Sequence, residues 1–100
     1  MFNGIIYNIG EIVKIEKRLN GINLFLKSDL RINKHKLGMS VSCDGVCLTL
    51  ISIKKKIFEF FLSNETIIRS KFKYCKVGNK INLELPLKYG QDISGHICQG

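Results

Sequence analysis

Between its breakers this 100-residue chain repeats one pattern, short runs in which apolar and polar residues alternate at every second position. That period belongs to strands whose two faces see different surroundings, and it argues against a helical framework, which repeats near every 3.6 residues. Ile12, Lys14 and Glu16 alternate with Val13, Ile15 and Lys17. After a turn at Gly21, Ile22, Leu24 and Leu26 alternate with Asn23, Phe25 and Lys27. Residues 57–62 are β-rich and nearly all apolar, and residues 80–85 alternate until Pro86, the single proline, stops them. Two short stretches read as helical. Residues 30–36 are polar and brief; residues 63–69 open on the N-cap residue Ser63, carry Glu65 in the first turn and end on Arg69. Many short strands with few helices predict an all-β fold, a closed or nearly closed antiparallel barrel.

The most specific local signal is Asp44-Gly45 between two β-like runs. A two-residue type I′ turn needs positive φ at both central positions, which Asp-Gly supplies. That turn sets Cys43 opposite Val46, Ser42 opposite Cys47, Val41 opposite Leu48 and Ser40 opposite Thr49. Strand alternation then puts Val41, Cys43, Val46 and Leu48 on one face, with Ser40, Ser42, Cys47 and Thr49 on the other. The first face suits a barrel core. The second, three hydroxyls and a thiol, suits either water or a heteroatom-rich ligand in a cleft, and a one-residue slip would exchange the two faces.

Composition narrows the function classes. The net charge of +8 comes from scattered lysines with one short run, Lys54-Lys55-Lys56. The aromatics lie inside apolar runs rather than among the bases, so a solvated lysine surface is expected and a nucleic-acid partner is not. No run approaches the ~18 apolar residues of a membrane span, and the start lacks the basic and apolar regions of a secretory signal. The expected location is the cytoplasm. Four cysteines, Cys43, Cys47, Cys75 and Cys98, show no CxxC or finger spacing, so reduced thiols and no metal are expected. Cys75 reads as core packing, and His35, between Lys34 and Lys36, as a surface residue.

Four motifs in order carry a family resemblance. Met1-Phe2-Asn3-Gly4-Ile5-Ile6 is similar to the MFTGI(I/V) start of riboflavin synthases, and residues 40–49 resemble their SVxxNGVCLTV segment. Glu65-Thr66 falls where that family has (K/S)ET, and residues 94–100 resemble GGHxVxGH, ending before its second histidine. Asn3, Ser94 and Leu85 depart from the family's usual threonine, glycine and basic residue, and Ser94 puts the geometry of that last motif in question.

The resemblance implies a six-stranded Greek-key barrel over residues 1–92, with 93–100 beginning a linker to a second, homologous barrel that is absent here. It implies a trimer for the full-length enzyme, with a dimer open to a single half, and neither metal nor organic cofactor. The implied reaction is a dismutation: one 6,7-dimethyl-8-ribityllumazine gives a four-carbon unit to another, yielding riboflavin and 5-amino-6-(D-ribitylamino)uracil. The implied site lies between the N-terminal barrel of one subunit and the C-terminal barrel of its neighbour, with one pteridine on each. Carried onto matching positions, substrate contacts fall on Gly4, Ile5 and Ile6, on Cys47, Leu48 and Thr49, on Phe61, Leu62, Ser63, Asn64, Glu65 and Thr66, and on Gly100. Phe61 offers a ring face, although burial in the core is its expected fate. The chemistry needs a base for the acidic 7-methyl group and a nucleophile or water at C7; the candidates are Cys47, Ser40, Thr49 and His96, with Thr66 in support. The competing expectation is a non-catalytic lumazine- or flavin-binding protein of the lumazine protein type; a pure binder has no need of the thiol.

Overall fold

A computed structural model describes residues 7–32 and 37–85. They form six strands: β1 (Tyr7–Arg18), β2 (Gly21–Ser28), β3 (Ser40–Cys43), β4 (Val46–Lys54), β5 (Ile57–Ser63) and β6 (Lys80–Glu84). A one-turn helix, α1 (Asn64–Ile68), and a 3₁₀ turn, Lys71–Tyr74, lie between β5 and β6. Every pairing is antiparallel, and the order β1-β2-β5-β4-β3-β6 closes on itself because β6 bonds both β3 and β1. Closure removes the unpaired edges that an open sheet would expose. The all-β barrel expected from the alternation is the fold.

Cross-strand rows show how the alternation becomes a core. Ile12, Leu26, Phe58 and Ile53 form one inward row, and Ile15, Leu24, Phe60 and Leu50 the next. Val41, Leu48, Leu62, Ile81 and Leu83 extend this interior, with Leu30 and Phe72 entering from the connections. Fully burying a side chain such as Phe58, Phe60 or Leu24 stabilises the barrel by about 1.5–3 kcal/mol.

Ile12 and Ile15 could not share a face in a regular strand, because their separation is odd. A β-bulge resolves this: Ile12 pairs Leu26 while Lys14 pairs the adjacent Phe25, leaving Val13 as the extra residue. β4 repeats the device at Ile51, between Leu50 and Ser52. Both bulged residues are exposed. The simple alternation read from residues 12–17 is therefore corrected at Val13. Core burial of Phe61 is corrected too, since that ring stands half-buried on the outer wall. Of the stretch 30–36, residues 30–32 carry no helix and 33–36, including His35, lie outside the described residues. The second helical expectation is met: Ser63 caps α1 and Arg69 follows its last turn. Cys75 packs partly buried against the core, as expected.

Candidate functional site

The Asp44-Gly45 turn has φ of 52° and 85°, and the pairs Ser40↔Thr49, Val41↔Leu48, Ser42↔Cys47 and Cys43↔Val46 all form as predicted. Val41, Cys43 and Leu48 are core, and Val46 packs against it. Ser40, Cys47 and Thr49 stand exposed on the outer wall, while Ser42, between Cys47 and Glu84, is buried. In the isolated barrel the thiol and two of the three hydroxyls are open to water rather than sunk in a cleft.

Asp44 does more than turn the chain. Its carboxylate accepts the Asn82 N–H at 2.7 Å, its own N–H donates to the Asn82 carbonyl at 2.7 Å, and Lys71 Nζ lies 3.0 Å from its other oxygen. The hairpin tip is thus tied to β6 and to the 3₁₀ turn. These bonds hold Cys47, three residues on, in register.

β4 then meets β5. The ladder ends at the pair Thr49–Phe61, from which β4 runs back to Cys47-Leu48 and β5 runs on to Leu62-Ser63 and α1. Two of the segments expected to hold the substrate converge on this seam. Thr49 and Phe61 present side chains outward, in a row that runs Ser40, Thr49, Phe61, Asn23, Glu16 across the wall. Leu48 and Leu62 point into the core, leaving them main-chain groups alone for any ligand. At the end of β5 the Ser63 hydroxyl accepts the Thr66 N–H at 3.2 Å and donates to the Thr66 hydroxyl at 3.1 Å. Asn64 and Glu65 are exposed, and Glu65 pairs with Arg69 at 3.2 Å. Gly4, Ile5, Ile6, His96 and Gly100 lie outside the described residues.

The thiols differ sharply. Burial pushes Cys43 far above the usual thiol range, with the charges of Asp44 and Cys47 adding to it, and burial also raises Cys75. Both are poor nucleophiles. Cys47 is the exposed thiol among the described residues. No group of three His, Cys, Asp or Glu side chains capable of holding a metal occurs among those residues.

Two positioning residues escaped the motif reading. A Cβ on Gly21 would lie 2.0 Å from the Leu62 carbonyl oxygen, so only glycine lets β2 approach the end of β5 this closely. Its signal was present, a glycine opening a strand, but it read as a turn. Asn23, buried opposite Phe61, donates to Glu59 at 2.6 Å; nothing in its local sequence marks it.

Comparison with known proteins adds an independent observation. Residues 3–86 match the family model for the lumazine binding domain. Over its whole length the chain is 35% identical to riboflavin synthase of Buchnera aphidicola subsp. Baizongia pistaciae, 38% to that of Chlamydia pneumoniae and 34% to that of Photobacterium phosphoreum. It covers 48%, 50% and 46% of those proteins, so it spans about half the length of the curated relatives it matches.

Proposed function

The chain belongs to the lumazine binding domain family, and from that premise we propose that it is one barrel of a riboflavin synthase, binding a ribityllumazine along the β4–β5 seam. The observation that carries this reading is the Thr49–Phe61 pairing, which joins the segment ending at Thr49 to the segment beginning at Phe61. A pteridinedione presents an edge of amide-like donors and acceptors, which main-chain groups at Leu48 and Leu62 and the hydroxyls of Thr49 and Thr66 match in type. Phe61 supplies an apolar face against the rings. Gly4, Ile5, Ile6 and Gly100 complete the contact set by family resemblance.

The reaction joins two lumazines, so a second barrel must hold the partner molecule. The exposure of Ser40, Cys47 and Thr49 supports such a division, because an open wall leaves room for another domain to exclude water. Within this reading Cys47 is the thiol able to add at C7 or take a proton, with Ser40, Thr49 and His96 the other candidates for proton transfer. The isolated barrel is expected to bind without appreciable turnover, and to self-associate through its outer wall.

Titration of the chain with 6,7-dimethyl-8-ribityllumazine, followed by fluorescence quenching, tests this. A saturable one-to-one response with negligible riboflavin formation is expected. A flat titration at micromolar protein would overturn the reading.

A further inference from the structure

Toward the Lys55-Lys56 end of the β4–β5 hairpin, away from Cys47, the outer wall carries a groove of about 570 Å³. Phe25 and Ile57 form its apolar lining, with Ile53 bordering it from the inward row, and Lys14 Nζ sits 5.2 Å from the Phe25 ring centroid. At one side stands Glu59, half-buried, with one oxygen accepting from Ser52 Oγ at 2.8 Å and the other from Asn23 Nδ2 at 2.6 Å. Lys54 and Lys55 line the same groove.

The charges are arranged unusually. Of the 16 Lys and Arg residues in the chain, several pair with carboxylates, as Lys14 and Arg18 do with Glu16, Lys56 with Asp29 and Lys80 with Glu11. Yet among the described residues Glu59 has no cationic partner, and neither Lys54 nor Lys55 pairs with a carboxylate. One groove therefore holds an oriented carboxylate and two cations with no direct ion pair between them. An ionised carboxylate offers about four acceptor positions, and Ser52 and Asn23 use two. By that count one acceptor position remains on each oxygen, the number that two adjacent N–H donors need.

From this we propose that the groove binds a phosphorylated heterocycle with a 2-amino-4-oxo edge, the edge of guanine. The ring N–H and the 2-amino group donate to Glu59, the ring lies against Phe25 and Ile57, and the phosphate meets Lys54 and Lys55. A cationic ligand is disfavoured by the two lysines, and a plain inorganic anion leaves the carboxylate and the apolar wall unused. The site does not depend on the lumazine reading, and its test contains no lumazine.

The test is an NMR titration of the whole chain with guanosine 5′-monophosphate, inosine 5′-monophosphate and inorganic phosphate in parallel. Guanosine monophosphate is expected to bind saturably, with shifts centred on residues 52–59. Inosine monophosphate, lacking the 2-amino group, is expected to bind at least about tenfold more weakly, and phosphate to shift only the lysine amides. Glu59→Gln, checked by its unchanged melting profile, is expected to erase the preference between the two nucleotides. Equal affinity for both nucleotides on the unmodified chain would overturn the proposal, as would shifts that avoid residues 52–59. The ligand comparison needs no variant, so a misfolded Glu59→Gln would not protect the idea.

Discussion

The two ends of β4 are turned by the same backbone geometry and by opposite sequence chemistry. At one end Asp44 and Gly45 take φ of 52° and 85°; at the other Lys55 and Lys56 take 50° and 68°. Asp-Gly suits a type I′ turn, whereas a lysine held left-handed costs about 1 kcal/mol relative to its preferred conformation. The first turn is also anchored, through Asn82 and Lys71, while the second is held by the Lys56 ion pair to Asp29 at 3.0 Å and the Ser28 N–H to Lys56 carbonyl bond. The lesson is that this barrel concentrates local precision where the proposed substrate segments meet and tolerates strain where they do not.

That contrast is open to attack from its strongest side first. Gly21→Ala forces a Cβ against the Leu62 carbonyl and should destabilise the barrel by about 3 kcal/mol or more, with urea unfolding the measure. A loss below about 1 kcal/mol would mean that the end of β5 gives way easily. Asp44→Ala removes the acceptor for Asn82 and Lys71 together with a turn-favouring residue, at about 2 kcal/mol. Asp44→Asn keeps the turn and one acceptor, and should recover most of that.

Cys43 tests the same end by pH. Its folded pKa is raised, so its stabilising contribution is complete below the ordinary thiol value of 9.0 and is lost as pH rises beyond it, because the unfolded thiol ionises first. Unfolding free energies from urea titrations between pH 8 and 10 should therefore fall more steeply than in Cys43→Ala, by about 1.4 kcal/mol per pH unit at the alkaline end. Parallel curves would show that the thiol is not sealed in. The smallest effect belongs to the strained turn. Lys55→Asn combined with Lys56→Gly should stabilise the chain by about 1 kcal/mol, since the exposed Lys56–Asp29 pair that it sacrifices contributes less. A drop in melting temperature would indicate that the Lys-Lys turn is not strained.

How legible the molecule is follows the same division. The register of Ser40–Thr49 was readable because Asp-Gly dictates one turn, and one turn dictates every pair beyond it. The Ser63 cap was readable because a hydroxyl before an acidic first turn has few other uses. The bulges at Val13 and Ile51 were not, since an extra residue leaves no mark in a run of β-branched and charged side chains; it shows only when Ile12 and Ile15 must both be buried. Lys55-Lys56 hid for the opposite reason, because closure of β4 onto β5 imposes positive φ on residues that do not prefer it. Phe61 sits in an almost wholly apolar run, where hydrophobicity cannot tell the inner from the outer face. Gly21 and Asn23 act on β5 across forty residues of sequence, beyond the reach of any local pattern.

The central claim is that lumazine recognition belongs to the Asp44-Gly45 end of β4. Amide shifts on adding 6,7-dimethyl-8-ribityllumazine to the whole chain test it directly. The account predicts that the largest shifts fall on residues 47–49 and 61–66, with the Lys54–Ile57 turn unmoved. Shifts centred on that turn instead, with the 47–49 and 61–66 amides silent, would contradict it.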